Sequence, residues 1–142
     1  LPAAAVRKSA DAAFGIAGVT PSDIDTAQVF DAFTIAALVV MEELGFCERG
    51  QGGALFEGGH TGLDGSIPTN TSGGMMTWGN ANTTGKEYPT EPEAIRQVRG
   101  EAGINQVPGV ELALAQGIGG PMSLSCTLIL GKSAAAQHRR HA

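Results

Sequence analysis

Apolar residues recur with the 3.6-residue period of an α-helix along three parts of the chain. The first helix is expected to end at Gly18, and the second covers residues 35–44 between Thr34, its expected N-cap, and Gly45. This second helix is apolar on nearly every side, so it is predicted to lie between layers of the core. The apolar stripe of the first helix consists of Val6, Ala10, Ala13, Phe14 and Ala17.

The third helix begins with the capping-box pattern Thr90-x-x-Glu93, in which the two side chains satisfy each other's backbone N–H groups. A proline within the first turn favours the same start, because the backbone N–H that proline lacks would have no hydrogen-bond partner at the start of any helix. The buried stripe of this helix is predicted to consist of Ala94, Ile95, Val98 and Ala102.

Shorter segments have the composition or the alternation of β-strands. Residues 27–33 are rich in valine and phenylalanine, and residues 67–71 are a weaker candidate because they contain a proline. Residues 110–115 and 123–130 alternate, and residues 117–121 join them closely enough for an antiparallel pair. The buried face of the last strand is predicted to carry Leu124, Cys126, Leu128 and Leu130, which makes Cys126 a core thiol.

Helices that alternate with strands, followed by a hairpin, indicate an α/β fold: a mixed sheet with helices on its faces and a terminal antiparallel strand pair. Ligands of such sheets collect at the carboxyl ends of strands. Three polar or glycine-bearing segments are expected there, residues 31–34, 70–85 and 117–120. The second lies in a long glycine-rich stretch, and loops of that length are often functional.

Chain length, net charge and cysteine content limit the classes of function that the sequence allows. The 142 residues allow one domain, and a net charge of −5 disfavours binding to nucleic acid. No apolar run approaches the ~20 residues that span a bilayer, and no signal peptide opens the chain. Cys47 and Cys126 fit reduced thiols, and neither has metal-ligand spacing. We therefore expect a cytoplasmic protein with no metal site, no nucleic-acid partner and no membrane contact.

Four runs follow one another along the chain: A-Q-V-F-D-A-F-T at 27–34, E-E-L-G-F-C at 42–47, I-P-T-N-T-S-G-G at 67–74 and Q-V-R-G-E-A-G at 97–103. In this order they resemble the C-terminal half of the thiolase superfamily, in the branch of lipid-transfer thiolases, archaeal acetoacetyl-CoA thiolases and steroid side-chain aldolases. The resemblance implies a thiolase-like C-terminal domain over residues 1–132, followed by a polar tail at 133–142.

The resemblance also implies chemistry on a coenzyme A thioester with no bound cofactor. The C-terminal half of a thiolase contributes an Asn or His from an N-E-A-F or H-D-C-F motif, the His of G-H-P and the Cys of C-x-G. Such groups stabilise charge on a carbonyl oxygen and move the α-proton. The N-terminal half carries the nucleophilic cysteine. The implied function is that of an acyltransferase or a carbon–carbon lyase.

This chain departs from the family pattern at all three positions. The family's Asn or His is replaced here by Phe30, the His of G-H-P by Asn80 and the Cys of C-x-G by Gly117. Aldolase relatives use two tyrosines, and here Phe30 and approximately Thr84 occupy those places. A phenyl ring exchanges no proton, and an amide is no base near neutral pH. The alternative is therefore a degenerate, non-catalytic domain that binds acyl chains or stabilises a partner subunit.

The candidate residues follow from these positions. Asn80 is expected to donate a hydrogen bond. Asp31 either orients a donor or, as is more usual, caps the next helix or hydrogen-bonds a loop. His60 either replaces the lost imidazole or is a solvated loop residue, and Tyr88, the single tyrosine, is a further catalytic candidate. The substrate-binding candidates are Phe30, Ser72, Gly73, Gly74, Trp78, Gly117, Gly119 and Gly120.

Partners also follow from the resemblance. A full thiolase has two similar halves, and the match begins inside the first helix of the second half. The first strand of that half is then absent from the chain, and we expect it to be central in the sheet. An N-terminal thiolase half, on the same or a separate chain, is the expected partner. A homo- or hetero-oligomer and a zinc-ribbon/OB-fold subunit are further expectations.

Overall fold

A computed structural model describes residues 3–78, 89–120 and 122–132. The helices among these residues are α1 (Ala4–Ala17), α2 (Thr34–Leu44), α3 (Gly52–Glu57), α4 (Gly74–Trp78) and α5 (Thr90–Arg99). The strands are β1 (Thr26–Gln28), β2 (Leu112–Gly119) and β3 (Leu124–Gly131). Single 3-10 turns cover Pro21–Asp23 and Gly103–Asn105. None of these helices has the length and apolar character needed to cross a membrane.

The three strands form one mixed sheet in the order β1-β2-β3, with β1 parallel to β2 and β2 antiparallel to β3. On the far side of β1, Thr69 forms a single parallel bridge with Ala27. The predicted α/β class and terminal antiparallel pair are confirmed. The expected gap at the centre of the sheet is wrong, because β1 pairs directly with β2, as in Thr26 beside Ala113.

Helices cover both faces of the sheet. On one face α1 and α2 pack against the even-numbered side chains of β2 in the larger core cluster. On the other face α5 packs against Ala113 and Ala115. The main apolar residues that α1, α2 and β2 bring to the larger cluster are Val6, Ala10, Phe14, Ala36, Val40, Met41, Leu44, Leu112, Leu114 and Ile118.

The ends of the first two helices match the sequence only in part. Gly18 and Gly45 have left-handed backbones, with φ of 69° and 88°, and end α1 and α2 as predicted. Thr34, however, is the first residue inside α2, and Phe33 holds the N-cap position without a side-chain hydrogen bond. The predicted N-cap is therefore wrong.

The third predicted helix exists as α5, but its start and its buried face differ from the prediction. Thr90 is the first helical residue, and no capping hydrogen bond forms there. Glu93 accepts a hydrogen bond of 2.6 Å from Thr71 Oγ1 instead, so tertiary contact has replaced the capping box. Ile95 is 44% exposed, whereas Gln97 is buried.

The prediction for the last strand is wrong about which face is buried. Leu124 is 67% exposed and Leu128 38% exposed, and Cys126 between them is exposed rather than a core thiol. The opposite face, with Thr127, is buried under α1. On the apolar face, Leu130 is the residue of β3 that packs against the core cluster of α5.

A buried carboxylate joins α2 to α1 and to the following loop. Glu43 pairs with Arg7 at 3.2 Å and with Arg49 at 2.9 Å. Burial alone would raise the pKa of Glu43, but hydrogen bonds from the two arginines outweigh it and hold that pKa below its usual value. The ion pairs therefore stabilise the fold while Glu43 is charged.

We expect Glu43→Gln to lower the free energy of unfolding at neutral pH. Because the folded-state pKa is depressed, this stabilisation is complete above the unfolded pKa of about 4.3 and is lost as the pH falls through the folded pKa. Urea denaturation at several pH values should show the two proteins converging in acid. The exposed Glu48 provides the control, since Glu48→Gln should leave stability at neutral pH unchanged. A wild-type advantage that persists at low pH would contradict this account.

Candidate functional site

The carboxyl ends of β1 and β2 form the centre of the candidate site. β1 ends at Gln28, and the next two amides bind side chains rather than a neighbouring strand. Val29 N donates to Asn70 Oδ1 at 2.7 Å, and Phe30 N donates to Gln116 Oε1 at 3.2 Å. The predicted strand over 27–33 is therefore short, because side chains have taken over its backbone hydrogen bonds.

Asp31 fixes the start of α4 against this end of the sheet. The side chain is 7% exposed, and its Oδ1 accepts a hydrogen bond of 2.7 Å from Met75 N. Gly74 has φ +63°, and a Cβ there would overlap the Asp31 carboxylate. The predicted cap on the next helix, α2, does not form. The Asp31 carboxylate binds the first turn of α4 instead.

A buried polar network lies beside this contact and holds residues 70–74 against α5. Thr71 N donates to Gln28 Oε1 at 3.1 Å, and Thr71 Oγ1 donates to Glu93 at 2.6 Å. Gln97 Nε2 donates to Thr71 Oγ1 at 2.9 Å and to Asn105 O at 2.7 Å. The network gives the site loop a defined position relative to the sheet.

The glycines of the third segment belong to a strand and not to a loop. Gly117 and Gly119 are the sixth and last residues of β2, opposite Cys126 and Leu124 of β3, and only Gly120 follows the strand, with φ +58°. Among the described residues, no atom lies within 4 Å of a Cβ built on Gly117. A cavity of about 290 Å³ opens there, lined by Glu91, Gly117, Ile118, Gly119, Leu124, Ser125 and Cys126. Its lining is largely apolar, which suits an acyl group better than a charged one.

The remaining candidates are distributed unevenly around this centre. Phe30 is buried, so its ring belongs to the core at the position where the resemblance implies a polar residue. Gly73 follows the network, exposed and with φ +97°, and Ser72 beside it is half-buried. Trp78 ends α4. Among the candidates within the described residues, Gly117 and Gly119 line the cavity.

Two catalytic candidates, Asn80 and Tyr88, lie outside the described residues, as does the predicted tail at 133–142. His60 is exposed, and its Nδ1 lies 3.1 Å from Ser66 Oγ. The His60 carbonyl accepts a hydrogen bond from Ile67 N, which precedes the bridge residue Thr69. Asp31 instead binds Met75 N, which follows Thr69. The structure therefore does not bring His60 to the other candidates.

Neither cysteine has the setting of an activated nucleophile. Burial and then the Glu42 carboxylate raise the pKa of the Cys47 thiol, which lowers its thiolate fraction. Cys126 is exposed on the apolar face of β3. Among the described residues, no three histidine, cysteine, aspartate or glutamate side chains converge in a metal-binding group.

Sequence reasoning missed the residues that build this site. Asn70, Thr71, Gln97 and Gln116 are not chemical candidates, yet their side chains hold the three segments together. A signal for one of them was present, because Gln116 interrupts an otherwise apolar or small-residue strand. A buried amide in a strand needs hydrogen-bond partners, and here the partner is the neighbouring strand end.

Comparison with known proteins decides the family. A sequence profile described as "Thiolase C-terminal domain-like" matches residues 1–132. The chain belongs to this thiolase family. The expected C-terminal thiolase resemblance is thereby confirmed.

Named relatives of this thiolase C-terminal domain include two curated enzymes. An acetyl-CoA acetyltransferase of Methanothermobacter thermautotrophicus is 45% identical over 109 residues, which cover 76% of this chain and 28% of that enzyme. A 17-hydroxy-3-oxo-4-pregnene-20-carboxyl-CoA lyase of Mycobacterium tuberculosis is 40% identical over 115 residues, 80% of this chain and 28% of the lyase. The chain thus spans less than a third of either relative.

A solved structure entitled "Ltp2-ChsH2(DUF35) aldolase" has the same fold as the thiolase C-terminal domain described here. It superposes with a TM-score of 0.76 and 36% sequence identity, over 89% of this chain and 31% of that chain. The similarity therefore extends to one part of a larger folded chain.

Proposed function

We propose that this domain lines the acyl-CoA site of an acyltransferase or a carbon–carbon lyase, together with an N-terminal thiolase half. The supporting observation is that the ends of β1 and β2 and the 70–75 segment are joined by direct hydrogen bonds at one edge of the sheet. The relatives are an acetyl-CoA acetyltransferase and a carboxyl-CoA lyase by name, which supports a coenzyme A thioester as the substrate.

The proposed division of labour follows the chemistry of the groups. The partner half supplies the nucleophile, since neither cysteine here is activated. The strand at Gly117 and Gly119 leaves room for the acyl group. Asp31 positions α4, and Asn80, two residues after α4, donates a hydrogen bond to the thioester oxygen or to the oxyanion that forms from it. No bound cofactor takes part, and Tyr88 remains a second candidate from the following loop.

Reconstitution tests this proposal. The chain is mixed with a separately produced N-terminal part of the Methanothermobacter acetyltransferase, and thiolysis of acetoacetyl-CoA and retro-aldol cleavage of a 3-hydroxyacyl-CoA are measured. Asn80→Ala should lower the rate by on the order of 100-fold, as loss of an oxyanion donor does elsewhere. Asp64→Asn, an exposed loop change, should leave it unaltered. Absence of both reactions in every combination would contradict the proposal.

The second candidate function is a non-catalytic thiolase domain that binds acyl chains or stabilises a partner subunit. The buried Phe30 ring favours it, because an apolar ring occupies the place of a proton-transferring group. In this case the complex would melt at a higher temperature than the partner half alone, while Asn80→Ala would leave any activity of the complex unchanged. Both functions place the chain in an oligomer. Under either function we propose a zinc-ribbon/OB-fold subunit as a further partner. We also propose a cytoplasmic location, which agrees with the two free cysteines.

A further inference from the structure

The cavity at the end of β2 continues the layer between α5 and the sheet. Ala113 and Ala115 of β2 pack against α5 in one core cluster. Gly117 lies two residues farther along the same face, because alternate residues of a strand share a face. Glu91, in the first turn of α5, lines the cavity beside it. The packed layer therefore opens into the cavity at Gly117.

The absence of a side chain at Gly117 gives the cavity part of its volume. A Cβ built there meets no atom within 4 Å in the part of the chain that the structure describes, so a larger side chain would project into open space. Cys126 lies directly opposite Gly117 in the strand pair, and the two positions share a face. With Leu124, Cys126 forms the β3 side of the cavity wall. The size of residue 117 therefore controls how much of the cavity is open.

The volume of the cavity decides which acyl group fills it. The cavity measures about 290 Å³. A methyl group is about the size of a water molecule, which occupies about 30 Å³ in the liquid, whereas an apolar cavity of about 150 Å³ holds a benzene ring. The methyl group of an acetyl thioester would therefore leave most of the cavity empty and lose contacts with its walls. A chain of about six carbons would make those contacts.

The wall also restricts the charge of the acyl group. Glu91 is exposed and brings a carboxylate to the cavity, beside a largely apolar lining. The Ser125 hydroxyl already has protein partners, since it accepts a hydrogen bond of 3.0 Å from Gln116 Nε2 and donates one of 3.3 Å to Gly117 O. An acyl chain that ends in a carboxylate would be repelled by Glu91 and would have to compete for the Ser125 proton. The lining therefore suits a neutral chain.

We propose that Gly117 and Glu91 select the acyl group of the substrate. Gly117 admits a chain of about six carbons, and Glu91 excludes a chain with a terminal carboxylate. This inference rests on the proposed acyl-CoA site and names its substrate class, a neutral medium-chain acyl thioester in preference to an acetyl or a dicarboxylic one. Both residues determine specificity, and neither transfers a proton.

Alkylation of Cys126 tests the selection, because this residue is part of the cavity wall. The intact chain is combined with the part of the Mycobacterium tuberculosis lyase that precedes its region of similarity. The named substrate of that lyase is much larger than hexanoyl-CoA, so the partner half does not limit the chain length. The complex is treated with iodoacetamide at increasing concentrations of acetyl-CoA, hexanoyl-CoA or adipoyl-CoA, which has six carbons and a terminal carboxylate. Modification of each cysteine is followed by mass spectrometry.

Hexanoyl-CoA should shield Cys126 best. The concentration that halves the alkylation rate should be at least about ten-fold lower for hexanoyl-CoA than for acetyl-CoA or adipoyl-CoA. Cys47 lies outside the cavity wall and provides an internal reference, so its rate should be the same with all three thioesters. This comparison needs no substitution and does not depend on the folding of a variant.

Two variants and their matched controls assign the selection to the two residues. Gly117→Val should remove the advantage of hexanoyl-CoA over acetyl-CoA, and its backbone accepts valine because φ lies outside the left-handed region. Glu91→Gln should remove the difference between hexanoyl-CoA and adipoyl-CoA. Gly15→Val and Glu48→Gln make the same changes at exposed positions elsewhere and should preserve both differences. Circular dichroism verifies that all four variants are folded.

The outcomes separate this inference from the proposed function. Equal shielding by the three thioesters, or no shielding, in a complex that has formed would overturn the selection and leave the enzymatic proposal to its own test. The expected shielding without thiolysis or retro-aldol cleavage in any reconstituted complex would support the selection and contradict the enzymatic function. Retention of both differences in Gly117→Val and Glu91→Gln would overturn the assignment to these residues.

Discussion

Gly74→Ala should lower the free energy of unfolding by about 3 kcal/mol. Gly74 has φ +63°, a left-handed backbone that costs an L-residue roughly 1 kcal/mol. A Cβ would also overlap the Asp31 carboxylate and displace it from Met75 N, and a buried hydrogen bond to a charged group is worth about 1.5–3 kcal/mol. Urea denaturation followed by circular dichroism measures the change.

Gly15→Ala is the matched control, because it makes the same chemical change in the interior of α1. In the part of the chain that the structure describes, no atom lies within 4 Å of a Cβ at Gly15, and its backbone is helical. This variant should gain roughly 0.5–1 kcal/mol, since alanine favours the helix over glycine. The two changes should therefore have opposite signs.

The double variant identifies the cause of the Gly74 effect. If the overlap is with Asp31, then Gly74→Ala should cost less in an Asp31→Ala background than in the wild type. Additive effects would mean that Asp31 is not the group displaced. They would also weaken the positioning role that Asp31 has in the proposed site.

Gln97→Leu should also cost about 3 kcal/mol, although leucine has nearly the same size. The amide of Gln97 donates to Asn105 O at 2.7 Å and accepts from Val107 N at 3.0 Å. Leucine would leave a backbone donor and a backbone acceptor without partners, each at a cost of about 1–3 kcal/mol. It would also break the contact with Thr71 that joins α5 to the site loop.

Gln51→Leu controls for the change of side chain, because Gln51 is exposed before α3. It should change the free energy of unfolding by less than about 0.5 kcal/mol. Thermal or urea denaturation of both variants provides the comparison. A small effect at Gln97 would indicate that the buried network is not a main source of stability.

Much of the helical structure could be predicted because its causes are local. The stripe from Val6 to Phe14 and the stops at Gly18 and Gly45 depend on residue spacing and on glycine's access to left-handed backbone. The N-cap predictions at Thr34 and Thr90 were wrong. At Thr90 the cause is a tertiary contact, because Thr71 from another segment binds Glu93, the acidic residue of the predicted capping box. A capping preference that is local in the sequence is not realised where a buried tertiary partner binds the same side chain.

The site was predictable in outline and not in its construction. The polar segments after β1 and β2 were expected at the carboxyl ends of strands, and the structure brings Asp31 and the 70–75 segment together there. Asn70 and Gln116 lie far apart along the chain from the amides they bind, so no local pattern relates them. Such contacts depend on which strands become neighbours.

The sequence alone determined the family, the α/β class, the helix ends at glycine and the glycine-bearing segments that border the site. Only the tertiary structure decided that β1 adjoins β2, that Asp31 caps α4 and that the apolar face of β3 is exposed. Period and turn chemistry act between near neighbours, so they can be read from the chain. Burial depends on which distant element lies over a surface, and the alternation in β3 is the same whether or not a partner lies beside it.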